Sequence, residues 1–91
     1  MEFEWDPLKA DRNLRKHAVS FHEAATVLED ALSITYHDPD HSATEYRFIT
    51  VGTSRSGRIL MVAHTDRGEK VRIISARKTT LRERRHYEEG Q

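Results

Sequence analysis

The chain of 91 residues contains no cysteine, only two prolines and four glycines, and no long apolar run. Without cysteine it can form neither a disulfide framework nor a thiolate metal site. Without an apolar segment of about 20 residues it offers no candidate membrane-spanning helix. Residues 1–5 are acidic and aromatic, unlike the basic flank and apolar core of a signal peptide. Together these absences predict a cytoplasmic protein.

The sequence also lacks the short motifs of several enzyme classes. Its glycines form neither a phosphate-binding G-x-x-x-x-G-K loop nor a G-x-G-x-x-G turn, and no serine lies in a G-x-S-x-G elbow. Nucleotide binding and serine hydrolysis are therefore not expected. The segment His37–His41 contains two imidazoles and two carboxylates that could ligate a metal. It equally has the composition of an exposed turn, and we expect neither a metal nor another cofactor.

Charge is abundant but unevenly distributed. Acidic and basic residues number 15 each, so the net charge is zero, and 33% of the residues are charged against 36% apolar. A chain of this length and composition fits one domain, residues 1–91, with a modest core. The segment Lys70–Arg85 carries seven basic residues and one acidic residue, hence +6 in 16 residues. Such a segment suits a polyanion, although charge runs are usually solvated helix faces.

The pattern of apolar residues and turn signals predicts an α+β domain in the order β-α-α-β-β-β-β-α. The predicted elements are a strand over Phe3–Trp5, a helix from Pro7 to about His17, a helix from Ser20 to about Glu29, strands over Ser33–His37, Tyr46–Thr53, Arg58–Thr65 and Lys70–Arg77, and a helix from Thr80 to near Gly90. Asp6 before Pro7 can cap the first helix. Ser20 with Glu23, and Thr80 with Glu83, have the spacing of capping boxes.

Two short polar links that contain glycine predict hairpins between the last three strands. We therefore expect two N-terminal helices to cover one face of an antiparallel sheet of about four strands. A trial register pairs Ser54 with Arg58 and Asp66 with Lys70. It sets His64 opposite Arg72, turns Ile74 toward one face of the sheet and turns Ile73 toward the other. Both faces are then partly apolar, and the second face should meet its own helix or a partner.

The predicted strand Lys70–Arg77 and the predicted helix that begins at Thr80 are both basic, and their side chains are suited to RNA chemistry. Arginine forks bind phosphates, and His, Tyr and Arg can supply the base, the acid and the cations that cleavage at a 2′-hydroxyl requires. The basic residues concerned are Arg72, Arg77, Lys78, Arg84 and Arg85, and the candidate acids and bases nearby are His64, His86 and Tyr87. Each has a structural alternative: a histidine at the core edge, a packing tyrosine, an arginine paired with a carboxylate.

Several segments, in this order, resemble the BrnT family of bacterial type II toxins. They are Phe3-Glu4-Trp5-Asp6-Pro7, Asn13-Leu14-Arg15-Lys16-His17, Val19-Ser20-Phe21, Val62-Ala63-His64-Thr65, Arg72-Ile73-Ile74-Ser75-Ala76-Arg77 and Glu83-Arg84-Arg85-His86-Tyr87-Glu88. The resemblance implies a RelE-like fold and a metal-independent endoribonuclease that stops translation, on free RNA or on the ribosome. It also implies a BrnA-type antitoxin, a dimer or a 2:2 complex with it, and contact with operator DNA only through the antitoxin.

Site residues carried over from this resemblance are assigned by position. Arg77 and Arg84 are expected to stabilise the phosphate, His64 to act as base, and Tyr87 or the neighbouring His86 as acid. The residues expected to bind RNA are Arg72, Lys78, Arg82, Arg85 and His86.

One position departs from the pattern of the family, which usually has glycine after the Lys-His pair where this chain has Ala18. Glycine there would suit a left-handed helix end, so the first helix is expected to end differently.

Two functions of another class stay open at this stage. The basic segment also fits a non-catalytic nucleic-acid-binding module. The apolar second face of the sheet fits a protein that acts only by docking an antitoxin.

Overall fold

The computed structural model describes residues 1–39 and 45–90. Its elements are β1 (Glu2–Glu4), α1 (Pro7–His17), α2 (Phe21–Leu28), β2 (Ile34–His37), β3 (Arg47–Thr53), β4 (Ile59–Arg67), β5 (Lys70–Lys78) and α3 (Leu81–Glu89). Their order confirms the predicted one. No helix in the described ranges is long and apolar enough to cross a membrane.

The strands form one sheet in the order β1-β5-β4-β3-β2. Neighbouring strands from β2 to β5 are antiparallel, and β1 joins β5 in parallel, with Phe3 opposite Val71. The sheet therefore has five strands rather than about four, because the N-terminal segment adds an edge strand beyond β5. Sequence spacing gives no signal for this pairing, which joins residues almost 70 positions apart.

The predicted hairpin register is correct for β3 and β4 and wrong for β4 and β5. Ser54 N–H donates to the Arg58 carbonyl at 2.8 Å, as expected. Between β4 and β5 the register shifts between Ala63 and His64. This β-bulge turns Ile73 into the core, where it is 1% exposed, and leaves Ile74 on the other face. His64 consequently lies opposite Ile73 and not opposite Arg72.

Helices α1 and α2 cover one face of the sheet, here called the helix face. The core consists of Val19, Phe21, Ala24, Val27, Leu60, Val62, Ile73 and Ala76. Asn13 of α1 is buried with it and binds both polar groups of Ala76: its Nδ2 donates to the Ala76 carbonyl at 2.8 Å, and its Oδ1 accepts from the Ala76 N–H at 3.1 Å. This side chain fixes α1 against β5.

The helix ends follow the predicted capping residues with two corrections. The Thr80–Glu83 box is complete, but only half of the Ser20–Glu23 box forms. The Glu23 carboxylate instead accepts from Ser54, from Ser56 and twice from the Arg58 guanidinium, because the β3–β4 turn brings that cation to it. The second correction concerns the end of α1, where Ala18 has the left-handed backbone conformation that was expected only with glycine.

Ala18 adopts this left-handed conformation with φ 57°, although it has a side chain. Its N–H donates to the Leu14 carbonyl at 2.9 Å, and its own carbonyl accepts from Arg58 Nη2 at 3.0 Å. These bonds offset the strain of roughly 1 kcal/mol that a non-glycine residue meets in this region. The helix therefore ends as it would with glycine.

Candidate active site

A cleft of about 310 Å³ lies between α3 and the second face of the sheet. Its lining residues are Ile34, Tyr36, Val51, Met61, Arg82, Glu83, His86 and Tyr87. Strand alternation places the side chains of β2, β3 and β4 here, because Ile34 pairs with Val51 and Val51 with Met61. The residues from α3 are one helical turn apart, so they share a face. The cleft thus combines an apolar floor with ionisable groups at its rim.

Arg77 lines the neighbouring depression and is held by Glu83, which lines the cleft. Its two terminal nitrogens each donate to one carboxylate oxygen at 2.9 Å, and it also contacts the Lys78 carbonyl and the Met61 sulfur. The pair joins β5 to α3. The Arg77 bonds, with help from Thr80 at the helix start, lower the pKa of Glu83 to about 2, so this carboxylate is a weak base at neutral pH.

Tyr36 on β2 lies close enough to Glu83 and Arg77 for their charges to act on its hydroxyl. Burial raises the pKa of its hydroxyl, the Glu83 carboxylate raises it further, and Arg77 opposes the change. The phenol therefore keeps its proton at neutral pH and can donate it. His86 is exposed on α3 and lines the cleft next to Arg82. A phenol, an imidazole and the guanidinium group of Arg82 thus border one opening, with the guanidinium group of Arg77 beside it.

Acid is expected to destabilise the protein through two carboxylates. Glu23 and Glu83 both have folded pKa values of about 2, against 4.5 for the free group, because each is bound by an arginine. Below pH 4.5 the unfolded chain binds the protons first, so the stabilisation is complete above about pH 5.5 and is lost as pH falls toward 2. We expect each pair to contribute about 3 kcal/mol of pH-dependent stability.

Urea denaturation between pH 7 and pH 2 measures this contribution. The double variant Glu23→Gln/Glu83→Gln should be less stable than the original at pH 7 and should lose less stability on acidification. Parallel curves for the two proteins would show that other groups control the acid response.

Tyr87 is anchored by its hydroxyl to the body of the domain. The side chain is buried, its Oη donates to Asp30 Oδ2 at 3.0 Å, and Thr53 Oγ1 lies 3.3 Å away. Burial raises the pKa of this phenol. Asp30 also accepts from the Thr53 N–H, which is the largest cause of its lowered pKa. The ring of Tyr87 therefore lines the cleft, and its hydroxyl ties α3 to Asp30.

His64 lies on the other side of the sheet from this cleft. It follows Leu60 and Val62 on the helix face, whereas Arg77 contacts Met61 on the second face. The ring is 8% exposed, stacks on Phe48, and sets its Nε2 2.7 Å from Thr50 Oγ1. Burial lowers the pKa of this imidazole. The expected base and the expected phosphate ligand are therefore not brought together.

The other predicted residues are spread over the surface. Arg72 donates to Glu4 at 2.6 Å and ties β1 to β5. Arg84 pairs with Glu88 at 3.5 Å and, with Lys78, borders a separate depression near Gly57. Arg85 is exposed on α3 and lines none of the described depressions. Of the predicted site residues, Arg82, His86 and the ring of Tyr87 line the cleft, and Arg77 lies next to it.

Sequence reasoning missed two residues near the cleft. Tyr36 was assigned only to a strand, although its alternation with Ile34 would have placed both on one face. Arg47 begins β3 and lines the neighbouring depression on the second face with Arg77, but it lies outside the basic segment. It stands opposite Thr65 on β4, a pairing that the predicted hairpin register already contained.

Metal binding gains no support in the described ranges. They contain no group of three or more His, Cys, Asp or Glu side chains arranged around a common point. Asp40 and His41, which belong to the segment that could ligate a metal, lie outside the described residues.

Comparison with known proteins gives the family. The profile described as "Ribonuclease toxin, BrnT, of type II toxin-antitoxin system" matches residues 5–83. The chain belongs to the BrnT family. It is thus a member of a family of ribonuclease toxins of type II toxin–antitoxin systems, and such a toxin implies an antitoxin partner. The resemblance drawn from the sequence segments is confirmed.

A solved BrnT structure shares the fold. The chain superimposes on the crystal structure of the Brucella abortus ribonuclease toxin, BrnT, with a TM-score of 0.66 and 23% identity, covering 89% of this chain and 99% of that one. This similarity confirms the α+β architecture. The comparison with curated proteins gave no match. The match to the BrnT profile ends at Glu83, so it does not include His86 or Tyr87.

Proposed function

We propose that this BrnT-family chain is an endoribonuclease that cleaves RNA without a metal ion, and that cleavage stops translation. The observation that supports it best is the cleft between α3 and the second face, which His86, Tyr36 and Arg82 line and beside which Arg77 is held by the lining residue Glu83. Cleavage of RNA by its own 2′-hydroxyl requires a base, an acid and cations, and these four side chains supply them.

In this mechanism the imidazole of His86 takes the proton from the 2′-hydroxyl, whose oxygen attacks the adjacent phosphorus. Arg77 and Arg82 stabilise the negative charge that grows on the phosphate oxygens. The bond to the 5′-oxygen breaks, and Tyr36 gives this oxygen its proton. The products are a 2′,3′-cyclic phosphate and a 5′-hydroxyl, so atoms and charges balance with no further reactant.

The proposal about the partners of this chain rests on its membership of the BrnT family and not on the geometry of the cleft. We propose that the antitoxin is a BrnA-type protein, that the complex contains two copies of each chain, and that operator DNA is bound through the antitoxin. Because the substrate is RNA in use for translation, the site of action is the cytoplasm. The mass of the complex formed with the product of the neighbouring gene measures the stoichiometry.

The test of the proposed function is the chemistry of the products. Purified protein incubated with synthetic RNA in EDTA should yield fragments that end in 2′,3′-cyclic phosphate, and it should be assayed on free RNA and on translating ribosomes. RNA that is bound at low salt but stays intact in both settings would identify a non-catalytic binding module. Cleavage that EDTA abolishes would contradict the metal-independent mechanism.

A further inference from the structure

The cleft is the first of three adjoining depressions, which share lining residues and are here together called the trough. A central depression adjoins it at Met61 and contains Arg47 and Arg77. A third depression, beside α1, adjoins the central one at His17, Ile74 and Ser75. The trough therefore extends from α3, across β3, β4 and β5, to the flank of α1. The β-bulge that leaves Ile74 on this face supplies part of the floor.

Three cations line the α1 end of the trough. Lys9, Arg12 and Lys16 follow one another at spacings of three and four residues, which puts them on one helix face about 10 Å long. None of the three forms an ion pair within residues 1–39 and 45–90, and all are exposed. Their charge is thus available to a ligand, in contrast to Arg77 and Arg72.

The position of this helix face is fixed by the fold. Asn13 lies between Arg12 and Lys16 on the same side of α1 and is held on both polar groups of Ala76, next to Arg77. The cations are consequently anchored beside β5 and are not on a freely moving surface. A bound strand that lies over the bulge residue Ile74 must pass within reach of them.

We propose that Lys9, Arg12 and Lys16 bind the sugar–phosphate backbone of single-stranded RNA that extends from the cleft. This inference rests on the proposed function, because it treats the cleft as the place where the strand is cut. A cleaved strand continues on both sides of the cut, and the adjoining depressions offer it a path that ends on cations with no ion pair in the described ranges. Most charge along the path is positive, with Glu83 and Asp38 the carboxylates among its lining residues.

The test uses a fluorescent 2′-O-methyl oligouridylate of 12 nucleotides, which cannot be cut because its 2′-oxygens are blocked. Binding is measured by anisotropy over a range of salt concentrations. The variant K9Q/R12Q/K16Q should bind the probe at least tenfold more weakly at low salt, and the slope of log affinity against log salt should fall by about 2, since each phosphate contact contributes about 0.7. Glutamine preserves the helix propensity.

The matched control is R15Q/R55Q/K70Q, which removes the same charge from exposed positions that line none of the three depressions. It should keep the salt slope of the original protein. Equal losses in the two triple variants would overturn the proposal, because net charge alone would then explain binding. An unchanged slope of log affinity against log salt in K9Q/R12Q/K16Q would also overturn it. The same holds if a polyglutamate 12-mer binds in place of the RNA probe and loses its binding in K9Q/R12Q/K16Q, because the surface would then bind any polyanion.

The two proposals fail separately. If K9Q/R12Q/K16Q binds the probe normally while the unmodified chain cuts RNA, the α1 assignment is wrong and the proposed function stands. If binding depends on Lys9, Arg12 and Lys16 but no RNA is cut, these residues bind RNA as proposed and the proposed ribonuclease activity is wrong. In the cleavage assay the α1 variant should raise KM and leave kcat within about twofold, because these residues are distant from the reacting atoms.

Discussion

Replacing His86 with alanine is expected to lower the rate constant of RNA cleavage by about 10²–10⁴, the usual contribution of a general base. His86 is the imidazole that lines the cleft, and its side chain is exposed, so the free energy of unfolding should change little. Alanine is a good helix former, which also protects α3. Single-turnover cleavage of end-labelled RNA and urea denaturation measure the two quantities on the same preparation.

Two further histidine variants make this result decisive. His22 is exposed on α2 with its ring 4.8 Å from Trp5, away from the cleft, so His22→Ala should cleave RNA normally. His64→Gln keeps a group that can bond to Thr50 and removes the other candidate base. A fully folded His64→Gln variant that loses cleavage, with an active His86→Ala variant, would move the active site to the helix face of the sheet.

The parts of the fold that depend on neighbouring residues were predictable. Asp6, Ser20 and Thr80 cap the three helices as their sequence contexts indicate. Gly57 and Gly68 adopt positive φ angles in the two hairpin turns, as tight polar turns require. These are local preferences, and the residues that satisfy them are a few positions apart.

The features that the sequence did not reveal depend on distant pairings. The parallel β1–β5 pair joins residues almost 70 positions apart, and the register shift between Ala63 and His64 follows a hairpin whose turn gives no sign of it. The bulge turns Ile73 rather than Ile74 inward and sets His64 against it. In the same way, Glu23 binds Arg58, 35 positions away, instead of completing its own capping box.

The candidate site shows the same division. The basic segment was visible as composition, but composition cannot say which cations share a surface. The fold separates Arg72, Lys78, Arg84 and Arg85 from the cleft, adds Tyr36 to its lining and places Arg47 in the neighbouring depression. Each structural alternative considered for a single residue also has a counterpart in the fold: His64 is buried, Tyr87 of α3 is buried and bonded to Asp30, and Arg77 binds Glu83.

Replacing Arg77 with alanine is expected to lower kcat/KM by about 10²–10³, the cost of removing one donor from a transition-state oxyanion. The difficulty is that Arg77 also bridges β5 and α3, so a loss of activity can follow from a displaced helix. Glu83→Gln separates the two roles. Glutamine still accepts the Thr80 N–H bond of the capping box, but it gives up the charge that holds Arg77.

Both variants should therefore lose stability, while only one should lose catalysis. In Glu83→Gln the guanidinium has fewer protein partners and remains beside the cleft, so cleavage by the folded protein is not expected to fall and can rise. In Arg77→Ala the cation is absent, and Arg77→Lys should recover only part of the activity because an ammonium lacks the planar fork. Equal losses of activity in Arg77→Ala and Glu83→Gln at matched stability would show that the ion pair only positions α3. The phosphate would then have to be stabilised by Arg82 or Arg47, the other arginines on this face.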